Sequence, residues 1–410
     1  MTVPTHDPAP QDASAPAWPP AAPGELRKRA AALRGELPDS AAEADAGNAD
    51  SAHGMRRIWE EGLFSFNLPR QYGGVTDASP CTSAENFFAL LTDLTAGDSS
   101  AGMNYGVQSL VTLEIFDPGN GLPRETKDEV ARRITAQGTR LVASNAETGS
   151  PRPVTARRVP GGIIVAGTKT FNTNSGGGGI ANVGVSAVEG EQGRWHALVP
   201  LDSAGVNCRH DWDVMGQRGT HSQTIDYNDV FVPDGWYYQA HGFAPPMIPY
   251  VFLLHSAIML GPGYGALDAA CDYVRKLDRP SLPEFTSAAE DPLVRRRIGD
   301  IAVRLEAARA YLLRAAARIE HWNDNPPGAT EIAIEAFAVK VACVNAALYA
   351  TGEIFDLTGA RSTAGKYRFD RYWRNARTFS THDPTDAKEV WVGDWYLSGK
   401  EPPLVAMLRV

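Results

Sequence analysis

A chain of 410 residues, 43% hydrophobic and 21% charged, can build two or three packed units around a large core. Its formal net charge of −9 argues against non-specific nucleic-acid binding, which needs a basic footprint. Four scattered cysteines (Cys81, Cys208, Cys271, Cys343) form no CxxC pair, so no zinc or other metal site is expected and the thiols suit a reducing cytoplasm. There is no basic-then-apolar N-terminal segment and no run of 18 apolar residues, so neither a signal peptide nor a membrane span is expected.

Residues 1–23 are rich in Ala and Pro and read as a disordered tail. Glu25 to Leu37 and Ser51 to Phe64 carry apolar residues at three- and four-residue spacing, which predicts helices. Leu68 to Gly74 is a breaking turn. Ser83 to Thr95 and Arg124 to Thr135 read as amphipathic helices, the second opened by Pro123. From Leu141 to about Pro233 the segments become short and β-rich. Val159 to Gly167 is a turn running into a strand, and Arg194 to Pro200 and Ser222 to Val232 alternate as strands do. The Gly-rich run Ser175 to Gly179 leads into no helix, so a mobile loop is expected rather than a phosphate cradle. From Pro245 the pattern is helical again: Ile248 to Val274, Pro292 to Trp322, Glu331 to Leu357, and a last, more polar helix from Trp373 to Asp394. The glycines at Gly261, Gly263 and Gly265 follow no strand and read as a helix-packing feature. His196, His210, His221, His241 and His321 show no partner pattern and are expected at the surface or in turns.

Several segments, in order, resemble the acyl-CoA dehydrogenase superfamily. Leu68 to Gly74 is similar to its LPxxYGG turn, Ser144 to Ser150 to its TEPxxGS strand, and Gly167 to Asn174 to its GxKxWIxN strand with Phe171 for Trp. Met215 to Thr220 and Val232-Pro233 match a later turn and strand end. Ile298 to Ala308 and Tyr372 to Arg377 match two bundle-helix signatures. The resemblance implies an α+β fold with an N-terminal helical domain (24–140), a central β-barrel-like domain (141–240) and a C-terminal four-helix bundle (241–410). It also implies a flavin between the β-domain and the bundle. A flavin ring needs a flat dry slot, an apolar wall and a few polar groups. On this resemblance Asn145, Thr148 and Thr173 supply hydrogen bonds, Phe171 stacks on the ring, and Arg279 reaches the flavin phosphates of a neighbouring subunit. Taken singly these residues have plainer readings: Asn and Thr close turns, and a strand Phe belongs to a core.

The departures are informative. A dehydrogenase needs a positioned carboxylate base. The segment that carries the family's Glu matches Thr381-His382-Asp383-Pro384-Thr385, with Asp383 at the Glu position. The other location used for that Glu matches Leu254, beside His255. Asp is one methylene shorter, and a displacement of about 1 Å can cost roughly 100-fold. Arg374 to Pro384 instead resembles the R-N-x-R-T-x-x-x-H-D-P pattern of class D flavin monooxygenases, which include dibenzothiophene monooxygenases and amino-sugar nitrososynthases. Phe379 stands where many members have a second His. Met103 and Val107 stand where the dibenzothiophene enzymes have His and Tyr.

The resemblance implies an oxygenase that takes reduced flavin (FMNH2 or FADH2) from a separate NAD(P)H–flavin reductase. With O2 it would hydroxylate or N-oxidise a small molecule through a flavin C4a-hydroperoxide. His382 and Asp383 are the expected catalytic residues, since His can donate or accept a proton near neutral pH. The plainer reading of His382 is a helix cap or a pair with Asp383. Asn104, Tyr105, Leu254, His255 and Phe379 are expected to line the substrate pocket. A cytoplasmic homodimer or homotetramer is expected, with no membrane or nucleic-acid partner. The alternatives are an acyl-CoA dehydrogenase with Asp383 as base, and a non-catalytic flavin-fold binding protein.

Overall fold

The computed structural model describes residue 18 and residues 21–77, 79–150, 152–188, 193–240, 246–323 and 328–404. Most of the expected tail and His241 lie outside these. Of the tail, Trp18 packs edge-on against Trp59 at 6.4 Å, and Pro23 opens the first helix.

The chain first lays down helices α1 (Pro23–Glu36), α2 (Pro38–Gly47), α3 (Ala52–Glu60), α4 (Ala84–Gly97), α5 (Ser99–Phe116) and α6 (Arg124–Gln137). Among the described residues nine strands follow: β1 (Leu141–Ser144), β2 (Thr155–Val159), β3 (Gly162–Asn172), β4 (Ile180–Val185), β5 (Ala187–Val188), β6 (Trp195–Pro200), β7 (Val206–Cys208), β8 (Gln223–Pro233) and β9 (Tyr237–Gln239). The last helices are α7 (Met247–Val274), α8 (Pro292–Glu320), α9 (Ala329–Thr358), α10 (Asp370–Ser380) and α11 (Thr385–Ser398).

The strands form two sheets, ordered β1-β4-β6-β9 and β5-β2-β3-β8-β7. Val142, Val183 and Val199 of one sheet share an apolar cluster with Ile163, Val165 and Ile225 of the other. The two sheets close on each other through this cluster, while the other face of the first sheet, with Leu141, Ile180 and Leu198, packs on the helical core. The early and late helices share a second, continuous core. α7 runs through its centre. It touches α4 closely because Gly261 and Gly265 lack the Cβ that would meet Thr95 and the Ala96 carbonyl. α7 and α9 are long and apolar enough by composition to span a bilayer. However, 78% and 67% of their most apolar windows are buried inside the fold, so they are core helices.

Four expectations change. α2 and α5 were not legible as helices: α2 buries only Asp45, and α5 buries all sides but one stripe, so neither has a clear apolar face. The single helix expected over Trp373 to Asp394 is two, α10 and α11. They break at His382-Asp383-Pro384, because the residue before a proline is disfavoured in helix. The Gly-rich run is packed rather than loose: at Gly177 a Cβ would collide with the Arg140 guanidinium, which is paired to Asp50 at 2.8 Å. His196 is buried on β6 and stacks on Tyr238 at 5.4 Å, so it is not a surface residue.

Burial, with the charges of Arg194 and Lys169, pushes His196 down from its ordinary 6.5 to about 3. An unfolded chain therefore takes up a proton that the fold refuses, and stability falls as pH drops below 6.5 towards 3. His196→Phe, which keeps the ring stack, is expected to hold its thermal midpoint better in acid. The advantage should reach about 2 kcal/mol by pH 5 relative to pH 7.5. Parallel melting curves over that range check it, and equal slopes would contradict it.

Candidate functional site

The site begins where β3 ends. The β3–β8 register shifts between Lys169 and Asn172, and within that bulge Phe171 adopts φ 53°. A bulge re-aims a side chain, and a left-handed backbone at a bulky residue costs about 1–3 kcal/mol. The result is a Phe171 ring 56% exposed, edge-on to Trp212 at 6.0 Å. The core reading of Phe171 is thereby removed.

From that strand end a hydroxyl chain runs inward. Thr173 Oγ1 meets Ser222 Oγ at 2.9 Å, Ser222 meets Thr220 Oγ1 at 2.8 Å, and Thr220 Oγ1 donates to the Gln217 carbonyl at 2.8 Å. Because Thr220 spends its proton on Gln217, each hydroxyl donates to the next and Thr173 keeps acceptor capacity. Gln217 is itself buried with φ 57°. Its backbone N–H donates to Asn375 Oδ1 of α10 at 2.6 Å, and its side chain donates to Ser99 Oγ of α5 at 2.8 Å. Arg374 closes the same seam by donating to the Met215 carbonyl at 2.8 Å and to Asp45 at 3.0 Å. Gly216 lies so close to the Arg374 carbonyl that no side chain fits.

α10 thus carries its far end to a fixed place. There Phe379 stands 5.5 Å and His382 4.6 Å, ring to ring, from His255 of α7. The Asp383 carboxylate is ion-paired to both Lys340 of α9 and Lys388 of α11, two lysines with side chains 1% and 2% exposed. The His382 ring is half exposed. Desolvation, then the charge of Lys388, lowers His382 below its ordinary range. Desolvation, then His382 and Lys388, lowers His255 well below its own. Both shifts favour the neutral form of the ring. His255, His382 and Asp383 place one ligand atom each within 4.8 Å of one another, but the carboxylate already holds two ammoniums that a cation would have to displace.

The walls of the cleft come from α5 and α7. On α5 every residue is buried except Met103, Val107, Leu110 and Glu114, one stripe at helical spacing. On α7, Ile248, Val251 and His255 form the matching stripe in an otherwise buried stretch from Met247 to Ala266. α4 is parallel to α7, since Phe87 stacks on Tyr250 and Thr95 bonds the Ala257 carbonyl. α5 turns back on α4, so it is antiparallel to α7 and meets it at Gly106, against Leu254 and Ile258. Both stripes are rotated in the same sense from that seam, which puts them on the same side of an antiparallel pair. They line one apolar cleft. At its end Glu114 accepts from Asn182 at 2.7 Å, and burial lifts its carboxyl to about 7.

The expected site residues divide. His255, Phe379, His382 and Asp383 come together, whereas Leu254 is buried in the α5–α7 seam against Gly106. Asn104 is buried away from the cleft, donating to Ser51 at 3.1 Å, and Tyr105 is core, its hydroxyl donating to the Leu63 carbonyl at 2.9 Å. The register-matched Met103 and Val107 take the wall instead. Asn145 accepts from Arg194 at 2.9 Å, and the Thr148 carbonyl accepts from Thr170 at 3.2 Å; both flank the β3 end. Arg279 is exposed in the loop after α7. Sequence reasoning missed Gln217 and Lys340, whose partners lie far along the chain, and Lys388, which turns back onto Asp383 and the Pro384 carbonyl. It also missed Thr378, whose buried hydroxyl has no partner among the described residues. An exposed aromatic at a sheet end, adjacent hydroxyls and an unpartnered donor fit the edge and face of a flavin.

Residues 253–387 match the acyl-CoA dehydrogenase C-terminal domain family. A dibenzothiophene monooxygenase of Mycolicibacterium goodii is 32% identical over 364 residues, covering 83% of this chain and 86% of its own. The chain belongs to this family of flavin-dependent monooxygenases. A probable FMNH2-dependent monooxygenase, SfnC of Pseudomonas putida, is 28% identical over 90% of this chain and 94% of its own. FMN-bound TdsC from Paenibacillus sp. A11-2 superposes with a TM-score of 0.82 over 92% of this chain and 98% of its own, at 24% identity, and so supports the fold.

Gln217→Ala is expected to lower stability by about 1–3 kcal/mol, because Ser99 and its neighbours lose a buried partner. The Gln217 backbone keeps its bonds to Asn375 and Thr220, so flavin affinity should fall only as far as the start of α5, freed at Ser99 and Ser100, loosens. Chemical denaturation and flavin titration of the same variant check both, and an unchanged denaturation midpoint would contradict the hub.

Proposed function

We propose that this monooxygenase is the oxygenase half of a two-component system, taking FMNH2 from a separate NAD(P)H–flavin reductase and hydroxylating or N-oxidising a small molecule. FMN over FAD is supported by the P. putida relative, a probable FMNH2-dependent monooxygenase. The observation that carries the reading is the state of Asp383. Held between Lys340 and Lys388, it is not available as the base a dehydrogenase needs, while beside it two neutral histidines face an apolar cleft.

A bound reduced flavin supplies the activation of O2. The chain's residues do the rest. Phe171, Thr173, Asn145 and Thr148 receive the ring, with Thr378 as an additional donor. Met103, Val107, Leu110, Ile248, Val251 and Phe379 exclude water and hold the apolar body of the substrate. His382, half exposed at the cleft, donates a hydrogen bond or takes the substrate's proton, and His255 backs it. A homo-oligomer is supported by the exposed Val390, Tyr396 and Leu397 on α11 and by the exposed Arg279 in the loop after α7.

Stopped-flow mixing of FMNH2 and oxygenated buffer, with and without the protein, tests this. The expected result is a transient spectrum that is neither reduced nor oxidised flavin, short-lived in His382→Ala with more hydrogen peroxide released. Phe171→Ala is expected to weaken flavin capture by about 2- to 10-fold. Flavin oxidation at the protein-free rate would contradict the reading.

A further inference from the structure

The buried charges beneath the histidine pair do not balance. Among the described residues two ammoniums meet one carboxylate, and the surplus is faced by rings rather than by an acid. Lys340 Nζ lies 5.7 Å and Lys388 Nζ 5.5 Å from the Phe252 ring, and Lys388 lies 5.6 Å from Trp391. Lys388 also donates to the Pro384 carbonyl at 2.9 Å. The next acid along α9, Glu335, is taken up by Arg314 and Arg318. One lysine would neutralise Asp383; the second is not needed for that.

We propose that Lys340 and Lys388 are positioning residues for the His255–His382 pair, forming with Asp383 a buried cluster of net charge +1 that keeps both imidazoles neutral and His382 turned to the cleft. This rests on the monooxygenase reading of the site. An aspartate beside a histidine ordinarily draws a proton onto the ring. Here His382 Nδ1 is 3.5 Å and His255 Nδ1 3.9 Å from the same Asp383 oxygen, and His255 Nδ1 has no hydrogen-bond partner among the described residues. The carboxylate is spent on the lysines, and the net charge repels a proton instead. The titratable groups recorded against the pair are His255 from α7, Lys340 from α9, Lys388 from α11 and Asp383 from the turn itself. A neutral imidazole keeps both a donor and an acceptor, and a positive floor returns a captured proton readily. Burial lowers Lys388 to about 8, so the device loses its second charge in alkali.

The test is proton–carbon NMR of the full chain labelled at histidine Cε1, with His255→Gln and His382→Gln for assignment. Both resonances are expected to titrate below the ordinary range. Lys388→Met and Lys340→Met should raise the His382 midpoint by about one unit, and Asp383→Asn should lower it further. Opposite signs are the signature, since mere loosening of the turn would move every variant towards the ordinary value. Shifts of one sign in both variant types, or none, would overturn the proposal. If Lys340→Met does not fold, Lys388→Met and Asp383→Asn still decide. Opposite shifts with no flavin transient in stopped flow would retain the cluster and remove the monooxygenase reading.

Discussion

One buried glutamine holds the sheets to the helices. Gln217 sits in a turn with a left-handed backbone, and its polar atoms reach α5, α10, Trp212 and the Thr220–Ser222–Thr173 chain. In a low-dielectric interior such a hub is worth most when every member is satisfied. Displace it, and the platform at Phe171 and the histidines beyond α10 no longer share a frame. The strain accepted at Phe171 and at Gln217 is concentrated where two structural layers must register to form a site.

The chemistry depends on a second constraint, the way charge is stored under the His382 turn. A carboxylate one position from a histidine suggests an acid–base pair when only the chain order is known. In the fold the same Asp383 is bound by two lysines from two other helices, and its effect on the neighbouring rings is reversed. Position alone did not decide the role; the sign of the local field did.

Much of this was legible in the sequence. Amphipathic spacing located α4, α6, α8 and α9 within a few residues, and alternation located β3, β6 and β8. The motifs from Leu68 to Pro384 gave the family and brought His255, Phe379 and His382 into one site. What failed has physical causes. α5 lies buried on nearly all sides, so periodicity could not mark it, and the expectation put Asn104 and Tyr105 in the cleft where Met103 and Val107, one and two residues round the helix, face it. The bulge that exposes Phe171 leaves no trace in side-chain alternation. Lys340 looked like an ordinary helix lysine, because nothing local announces a partner 43 residues distant, and Lys388 looked like a surface lysine of the first turns of α11.

The central claim is that the acid at the old base position is no longer free to remove a proton from carbon. Anaerobic titration of the flavin-loaded protein with short-, medium- and long-chain acyl-CoA thioesters tests it most directly. The account predicts that the oxidised flavin spectrum is unchanged by any of them, at pH values on both sides of neutrality. Bleaching of the flavin by a thioester, abolished in Asp383→Asn, would contradict it and restore a dehydrogenase.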